Sequence, residues 1–230
     1  MSSKFFSNKK ITIVFFIFVA IEIVGIITGI QLVYNIAKPL LLPILMGLLL
    51  LNTNTTTTGR ILILTALIFS WLGDVFLMLD DPKGVFFIAG LSCFLITHIF
   101  YIIYFLGIRS ATVSLLKKQP LLLLLVCGYG ITLIWFLFPQ LGSLLIPVTV
   151  YALVICTMLL CSLQVYFKVN KPANDMFVFG AMLFVLSDSL LAINKFLEPL
   201  PYSGISIMLT YCAAQYFIVS GYIIQQAAHD

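Results

Sequence analysis

The chain has 230 residues, 62% of them hydrophobic and only 9% charged. Soluble domains carry about 25% charged residues, and disordered chains combine low hydrophobicity with high charge, so both classes are excluded. The net charge of +4, from 12 Lys and Arg against 8 Asp and Glu, is scattered over loops and ends. No basic run with interleaved aromatics forms a nucleic-acid surface.

At about 20 apolar residues per membrane crossing, the composition predicts an all-α polytopic membrane protein, a single transmembrane helical domain over 1–230. Apolar runs broken by polar or Pro/Gly punctuation place eight spans at 11–33, 38–52, 61–79, 85–107, 119–139, 143–167, 175–196 and 205–226. The runs are continuous rather than alternating, which excludes a β-barrel. The second span is short and opens on Lys38-Pro39, where proline suits a first helical turn.

An even number of spans puts both termini on one side. With the termini cytoplasmic, the inner segments hold Lys4, Lys9, Lys10, Arg60, Arg109, Lys117, Lys118, Lys168 and Lys171, and the outer ones only Lys38, Lys83 and Lys195. That asymmetry follows the positive-inside rule and predicts a multi-pass integral membrane protein, in the inner cell membrane if the source is bacterial. Glu22 interrupts the region where a signal-peptide cleavage site would lie, so the first span is read as retained. The Asn54-Thr55-Thr56 sequon falls on the inner side, where glycosylation is not expected. The five cysteines lie in apolar stretches without a C-x-x-C pair, as small buried hydrophobes do.

With so few charges, an acid inside a span demands a reason. Five of the eight acids lie at loops or termini, but Glu22, Asp74 and Asp188 fall within spans. The third span reads Ser70-Trp71-Leu72-Gly73-Asp74-Val75-Phe76-Leu77, and the seventh Ser187-Asp188-Ser189-Leu190-Leu191. Both run in the same direction and put the carboxyl near mid-membrane and somewhat toward the outer face, so the two acids are expected to share one polar cavity, with Gly73 and Ser187 allowing close helix approach. The 114-residue offset, half the chain, hints at a parallel four-plus-four repeat. His98 and Tyr101 share a face of the fourth span, and Tyr211 and Gln215 a face of the eighth. Lys195 lies two turns beyond Asp188 and either reaches back to the cavity or snorkels to the interface; Lys38 is similarly ambiguous. Glu22 precedes a small-xxx-small pattern, Gly25 to Gly29, that signals close packing, and stands as a secondary candidate.

A single intramembrane histidine and scattered cysteines supply no ordinary zinc set, and no metal or other cofactor is expected. No P-loop, dinucleotide fingerprint, G-x-S-x-G or H-E-x-x-H occurs. A carboxyl pair suits acid–base work, one member keeping its proton as general acid while the ionised partner activates water. Such pairs cleave bonds whose rupture passes through an oxocarbenium ion, as in acetals and vinyl ethers. A proton-coupled transporter, an intramembrane aspartyl protease and a lipid-binding scaffold remain open on the residues alone.

Lys38-Pro39-Leu40 with Pro43, Ser70 with Gly73-Asp74 and Leu77, His98 with Tyr101, and Pro147 with Tyr151 form an ordered set. It continues through Gly180-Ala181, Phe184, Ser187-Asp188, Ala192 and Lys195-Phe196 to Tyr211 and Gln215. This set resembles the YhhN family of lysoplasmalogenase-like membrane proteins. The resemblance implies an eight-span hydrolase, without a required metal, that splits the vinyl ether of a lysoplasmalogen into a fatty aldehyde and a glycerophospho-alcohol. It implies Asp74 and Asp188 as catalytic acid and base. It implies Lys38, His98, Tyr101, Tyr151, Lys195, Tyr211 and Gln215 as substrate-binding residues that position water or the phosphate head group. The partners implied are a lysophospholipid substrate and the membrane lipid; oligomeric state is not specified.

Overall fold

A computed structural model of the chain describes residues 9–53, 56–79, 84–108 and 112–228. The first two residues of the Asn54-Thr55-Thr56 sequon and the charged residues Lys4, Asp80, Asp81, Lys83, Arg109, His229 and Asp230 lie outside the described residues. Among those described, the chain forms α1 (Lys9–Thr28), α2 (Gln31–Asn52), α3 (Thr58–Met78), α4 (Val85–Gly107), the four-residue α5 (Leu115–Lys118), α6 (Leu121–Leu141), α7 (Leu145–Val165), α8 (Lys171–Phe196) and α9 (Ser203–Ala227), with no strand. Eight of these helices have 20 to 26 residues, about 30–39 Å, which fits a hydrocarbon core of about 30 Å.

A 3-10 turn at Gly142–Leu144 joins α6 to α7, making Leu121–Val165 one helical stretch of 45 residues. Unbroken, it would run to about 68 Å, twice what a bilayer needs. Gly142 has φ +48, a backbone geometry that costs glycine little, and α6 packs back on α7. The chain therefore reverses there. Large apolar side chains stand exposed along these helices, among them Ile13, Ile17, Leu32, Leu124, Ile131, Trp135 and Ile146. Water-soluble monomers do not tolerate so much apolar surface, and the architecture is that of a multi-pass membrane protein.

Two boundaries differ most from the sequence expectation. The first helix ends at Thr28 rather than 33, because Gly29 takes φ +68 and turns the chain. The expectation that Gly25 and Gly29 both serve packing holds for Gly25 alone. A Cβ there would come within 3.0 Å of the Tyr34 backbone nitrogen, whereas nothing lies within 4 Å of one on Gly29. The second helix starts at Gln31, a full turn and more before Lys38-Pro39, so both Pro39 and Pro43 sit inside it. Thr57 caps α3 by accepting a hydrogen bond from the Arg60 amide at 3.2 Å. Asn170 caps α8 through the Ala173 amide at 3.0 Å, with Pro172 in its first turn.

The chain divides into two compact units, the first reaching Phe100 and the second spanning Tyr101–Ala228. In the first, α1 packs on α2 and α2 on α3. Gly73 of α3 lies so close to the Phe94 ring of α4 that a Cβ would meet it at 2.8 Å. In the second, α7 packs on α8 and α8 on α9. There Gly180 meets α9, where a Cβ would come within 2.7 Å of an Ile218 side-chain carbon and 3.0 Å of the Ala214 carbonyl oxygen. Of the five cysteines, Cys93, Cys161 and Cys212 are buried and Cys156 is half-buried, while Cys127 is exposed on the apolar surface.

Candidate active site

Three ionisable side chains gather in the first unit. Glu22 of α1, Lys38 of α2 and Asp74 of α3 are 0%, 7% and 3% exposed. Lys38 interacts electrostatically with both carboxyls, and the carboxyls with each other. Its Nζ donates to Tyr34 Oη at 3.1 Å; the spacing of four residues puts both on one face of α2. Counted along the helices, Glu22 lies six residues from the Thr28 end of α1, Lys38 seven from the Gln31 end of α2 and Asp74 four from the Met78 end of α3, about 6–11 Å inward.

The two prolines of α2 explain how this cluster is fixed. In an unbroken helix the Pro39 carbonyl would accept from the amide of residue 43, but Pro43 has no N–H. Trp71 of α3 fills the gap, its Nε1–H donating to the Pro39 carbonyl oxygen at 2.8 Å. This bond ties the residue after Lys38 to the helix that carries Asp74. Around Asp74, Ser70 Oγ and Thr97 Oγ1 are 3.1 Å apart, and Thr97 also reaches the Ala66 and Cys93 carbonyls at 3.1 and 3.2 Å. With Gly73 seated on Phe94, α3 and α4 are held on both sides of the carboxyl. His98, next to Thr97 on α4, is fully buried.

Asp188 lies in the second unit, half-buried on α8. Tyr151 of α7 donates its phenolic hydrogen to Asp188 Oδ2. The residues on either side of Asp188 are anchored too. Ser187 Oγ donates to the Ile207 carbonyl at 3.1 Å, and Ser189 Oγ donates to the Val185 carbonyl at 2.7 Å while accepting from Tyr129 Oη at 2.7 Å. Further along, Tyr101 Oη donates to Gln215 Oε1 at 2.6 Å. Phe184 meets the rings of Tyr101 and Tyr211 edge-on, centroids 6.5 and 5.6 Å apart. Lys195 is exposed in the last turn of α8, where a cation favours the helix dipole.

Of the residues expected at a site, the structure joins Lys38 with Asp74, Tyr151 with Asp188, and Tyr101 with Gln215 and, through Phe184, with Tyr211. Lys38 is thereby a buried group of the cluster rather than an interface residue. Sequence reasoning missed Tyr34, Trp71 and Tyr129. The four-residue spacings of Tyr34 with Lys38 and of Pro39 with Pro43 were the available signals; Tyr129 had none. Among the described residues, no three His, Cys, Asp or Glu side chains gather as a metal ion requires.

The chain is 34% identical over 176 residues to lysoplasmalogenase TMEM86A of Bos taurus, covering 75% of this chain and 68% of that protein. It is 34% identical over 158 residues to lysoplasmalogenase TMEM86B of Sus scrofa, covering 66% and 59%. It is 30% identical over 172 residues to a lysoplasmalogenase of Mycobacterium bovis, covering 72% and 61%. The chain thus spans roughly three fifths to two thirds of the length of these relatives. No solved structure matches it. The YhhN family matches residues 33–222, a stretch that holds Lys38, Asp74, the Tyr151–Asp188 pair and Gln215, and the chain belongs to the YhhN family.

Proposed function

We propose that this protein hydrolyses the vinyl ether of lysoplasmalogens, releasing a fatty aldehyde and a glycerophospho-ethanolamine or -choline. The observation that carries the reading is the similarity to proteins named lysoplasmalogenase, together with a family match over residues 33–222 that includes both intramembrane aspartates. The chemistry of the side chains agrees with it. Vinyl ether hydrolysis needs a proton on the carbon remote from oxygen and a water delivered to the oxocarbenium that results; both are tasks for carboxyls.

In the proposed mechanism Asp74 and Asp188 are the general acid and the general base. The acid protonates the terminal vinyl carbon, and the C=C electron pair forms the new C–H bond. Water, losing its proton to the base, adds to the oxocarbenium carbon as a hemiacetal. The hemiacetal hydroxyl then gives up its proton, the carbonyl forms, and the glycerol oxygen leaves with a proton, so both carboxyls return to their starting states. Tyr151 orients Asp188, while Lys38, His98, Tyr101, Lys195, Tyr211 and Gln215 position water or the phosphate head group. The substrate enters from the bilayer, and both termini face the cytoplasm, the side that collects nine of the twelve Lys and Arg residues. In a bacterial cell the membrane is the inner one.

The test is aldehyde release by purified protein from a lysoplasmalogen, with the saturated ether lysolipid as control. The vinyl ether alone should turn over, and Asp74→Asn and Asp188→Asn should each lose activity by a factor of 100 or more, in the range of general acid–base contributions of roughly 10²–10⁴. Release from the saturated ether, or full activity in either variant, refutes the assignment.

A further inference from the structure

Two short connections of the second unit meet where α7 stops and α6 and α8 begin: α5, and the turn from Val165 to Lys168. In that turn the Lys168 amide donates to the Val165 carbonyl at 2.8 Å, Tyr166 has φ −54 and ψ 131, and Phe167 has φ 74. These angles belong to a type II turn, whose third position asks for glycine. A bulky residue is strained there. Phe167 occupies the position all the same and is 42% exposed. Tyr166 meets its ring edge-on, centroids 4.7 Å apart, and the Lys118 ammonium lies over it, 4.5 Å from the centroid.

The ring joins the two connections and brings four lysines with them. Lys117 and Lys118 end α5, Lys168 follows Phe167, and Lys171 opens α8. From Thr112 to Val178 the chain carries no other basic residue and a single acid, Asp175, whose carboxylate accepts from Tyr166 Oη at 2.9 Å. Packing alone gives no reason for this arrangement. Glycine would make the turn without strain, and gathered ammonium groups repel one another. An anion relieves that repulsion. At the end of a membrane helix bundle the anion at hand is a lipid phosphate, and clusters of four or more lysines beside a membrane helix attract anionic head groups. An exposed aromatic ring belongs at the same level of the bilayer.

We propose that α5 and the Val165–Lys168 turn form a binding site for the head group of an anionic phospholipid. Lys117, Lys118, Lys168 and Lys171 take up the phosphate charge, and Phe167, with Lys118 over its ring, meets the boundary between head groups and chains. The site is distinct from the one that holds Asp188, which lies 17 residues along α8 from Lys171, about 25 Å away. The substrate of the proposed reaction, with a phosphate and an ammonium in its head group, has no net charge, so the lipid bound here is a different one. The inference stands independently of that reaction.

The experiment titrates the purified, detergent-solubilised protein with dioleoyl-phosphatidylglycerol, dioleoyl-phosphatidylcholine and inorganic phosphate, and counts bound lipid by native mass spectrometry. Phosphatidylglycerol should bind about tenfold more tightly than phosphatidylcholine, and less tightly as salt is raised. Each lysine near a membrane surface is worth about fivefold in affinity. Lys117→Gln with Lys118→Gln, or Lys168→Gln with Lys171→Gln, should therefore weaken phosphatidylglycerol binding about fivefold or more, while Lys195→Gln, at the other end of α8, leaves it unchanged. Phe167→Gly accepts the turn's positive φ and removes only the ring; it too should weaken binding. Equal affinity for the two lipids, binding indifferent to salt, or a loss in Lys195→Gln as large as in the paired variants overturns the proposal. Displacement of phosphatidylglycerol by inorganic phosphate does so as well, because the site would then take any free anion. If the paired lysine variants do not fold, the salt series on wild type and the Phe167→Gly titration decide.

Discussion

Replacing Trp71 by Phe keeps an aromatic ring against α2 but removes the donor that satisfies the Pro39 carbonyl. No helical amide can take its place, since residue 43 is proline. An orphaned, part-buried acceptor costs about 1–3 kcal/mol. For a chain of this size, each kcal/mol corresponds to roughly 2–4 °C, so Trp71→Phe should lower Tm by about 2–12 °C. Pro43→Ala supplies the missing N–H within α2, and the Pro39 carbonyl then has a partner whether or not the indole is present. The structure therefore predicts non-additivity. In the Pro43→Ala background, Trp71→Phe should cost about 1 kcal/mol less than in wild type, the share that belongs to the hydrogen bond. Thermal unfolding of the four purified proteins in one detergent measures this. Equal losses in both backgrounds would show that Trp71 contributes only ring packing, and the account of how Lys38 is held near Asp74 would fail with it.

Two further predictions concern the second unit. Tyr151→Phe removes the hydrogen bond to Asp188 while keeping the ring; bonds to charged groups contribute about 1.5–3 kcal/mol, so kcat/KM for the vinyl ether should drop roughly 10–150-fold, and undiminished turnover would remove Tyr151 from the site. Tyr166, just past the end of α7, donates to Asp175 at 2.9 Å, and this bond to the carboxylate is the main cause that holds its phenol above the ordinary value. A raised folded-state value means the contribution is present below about pH 10 and lost above it as the phenol ionises. The Tm difference between wild type and Tyr166→Phe should be flat up to about pH 9 and shrink on going past 10; a difference that grows with alkalinity contradicts the assignment.

What the sequence conveyed followed from its scarcity of charge. When apolar residues dominate, each intramembrane acid is conspicuous, and Asp74 and Asp188 stand out before any coordinate is known. The span pattern was readable for the same reason, because lipid demands long uninterrupted apolar runs. The pairings were not readable. Tyr151 and Asp188 are 37 residues apart, and Tyr101 and Gln215 are 114 apart; periodicity reports which face a residue is on and nothing of what stands opposite. Pro39 misled for a physical reason. Proline suits a helix start, but a helix also tolerates it inside when a neighbour satisfies the freed carbonyl, and Trp71, 32 positions on, is invisible from α2.

Glu22 shows how charge accounting reaches beyond motif. By sequence it had no counterpart and ranked below the aspartates. By position it joins Lys38 and Asp74 in one buried ionisable group. A buried ion pair alone is weak ground for stability, because desolvation offsets most of the attraction. Three such groups, buried together near one end of α1, α2 and α3, are harder still to justify as packing, since apolar side chains of similar volume would fill the space without the desolvation cost. The Trp71 bond to the gap left by Pro43 ties the residue after Lys38 to the helix that carries Asp74, and so holds the ammonium beside the two carboxyls with which it interacts.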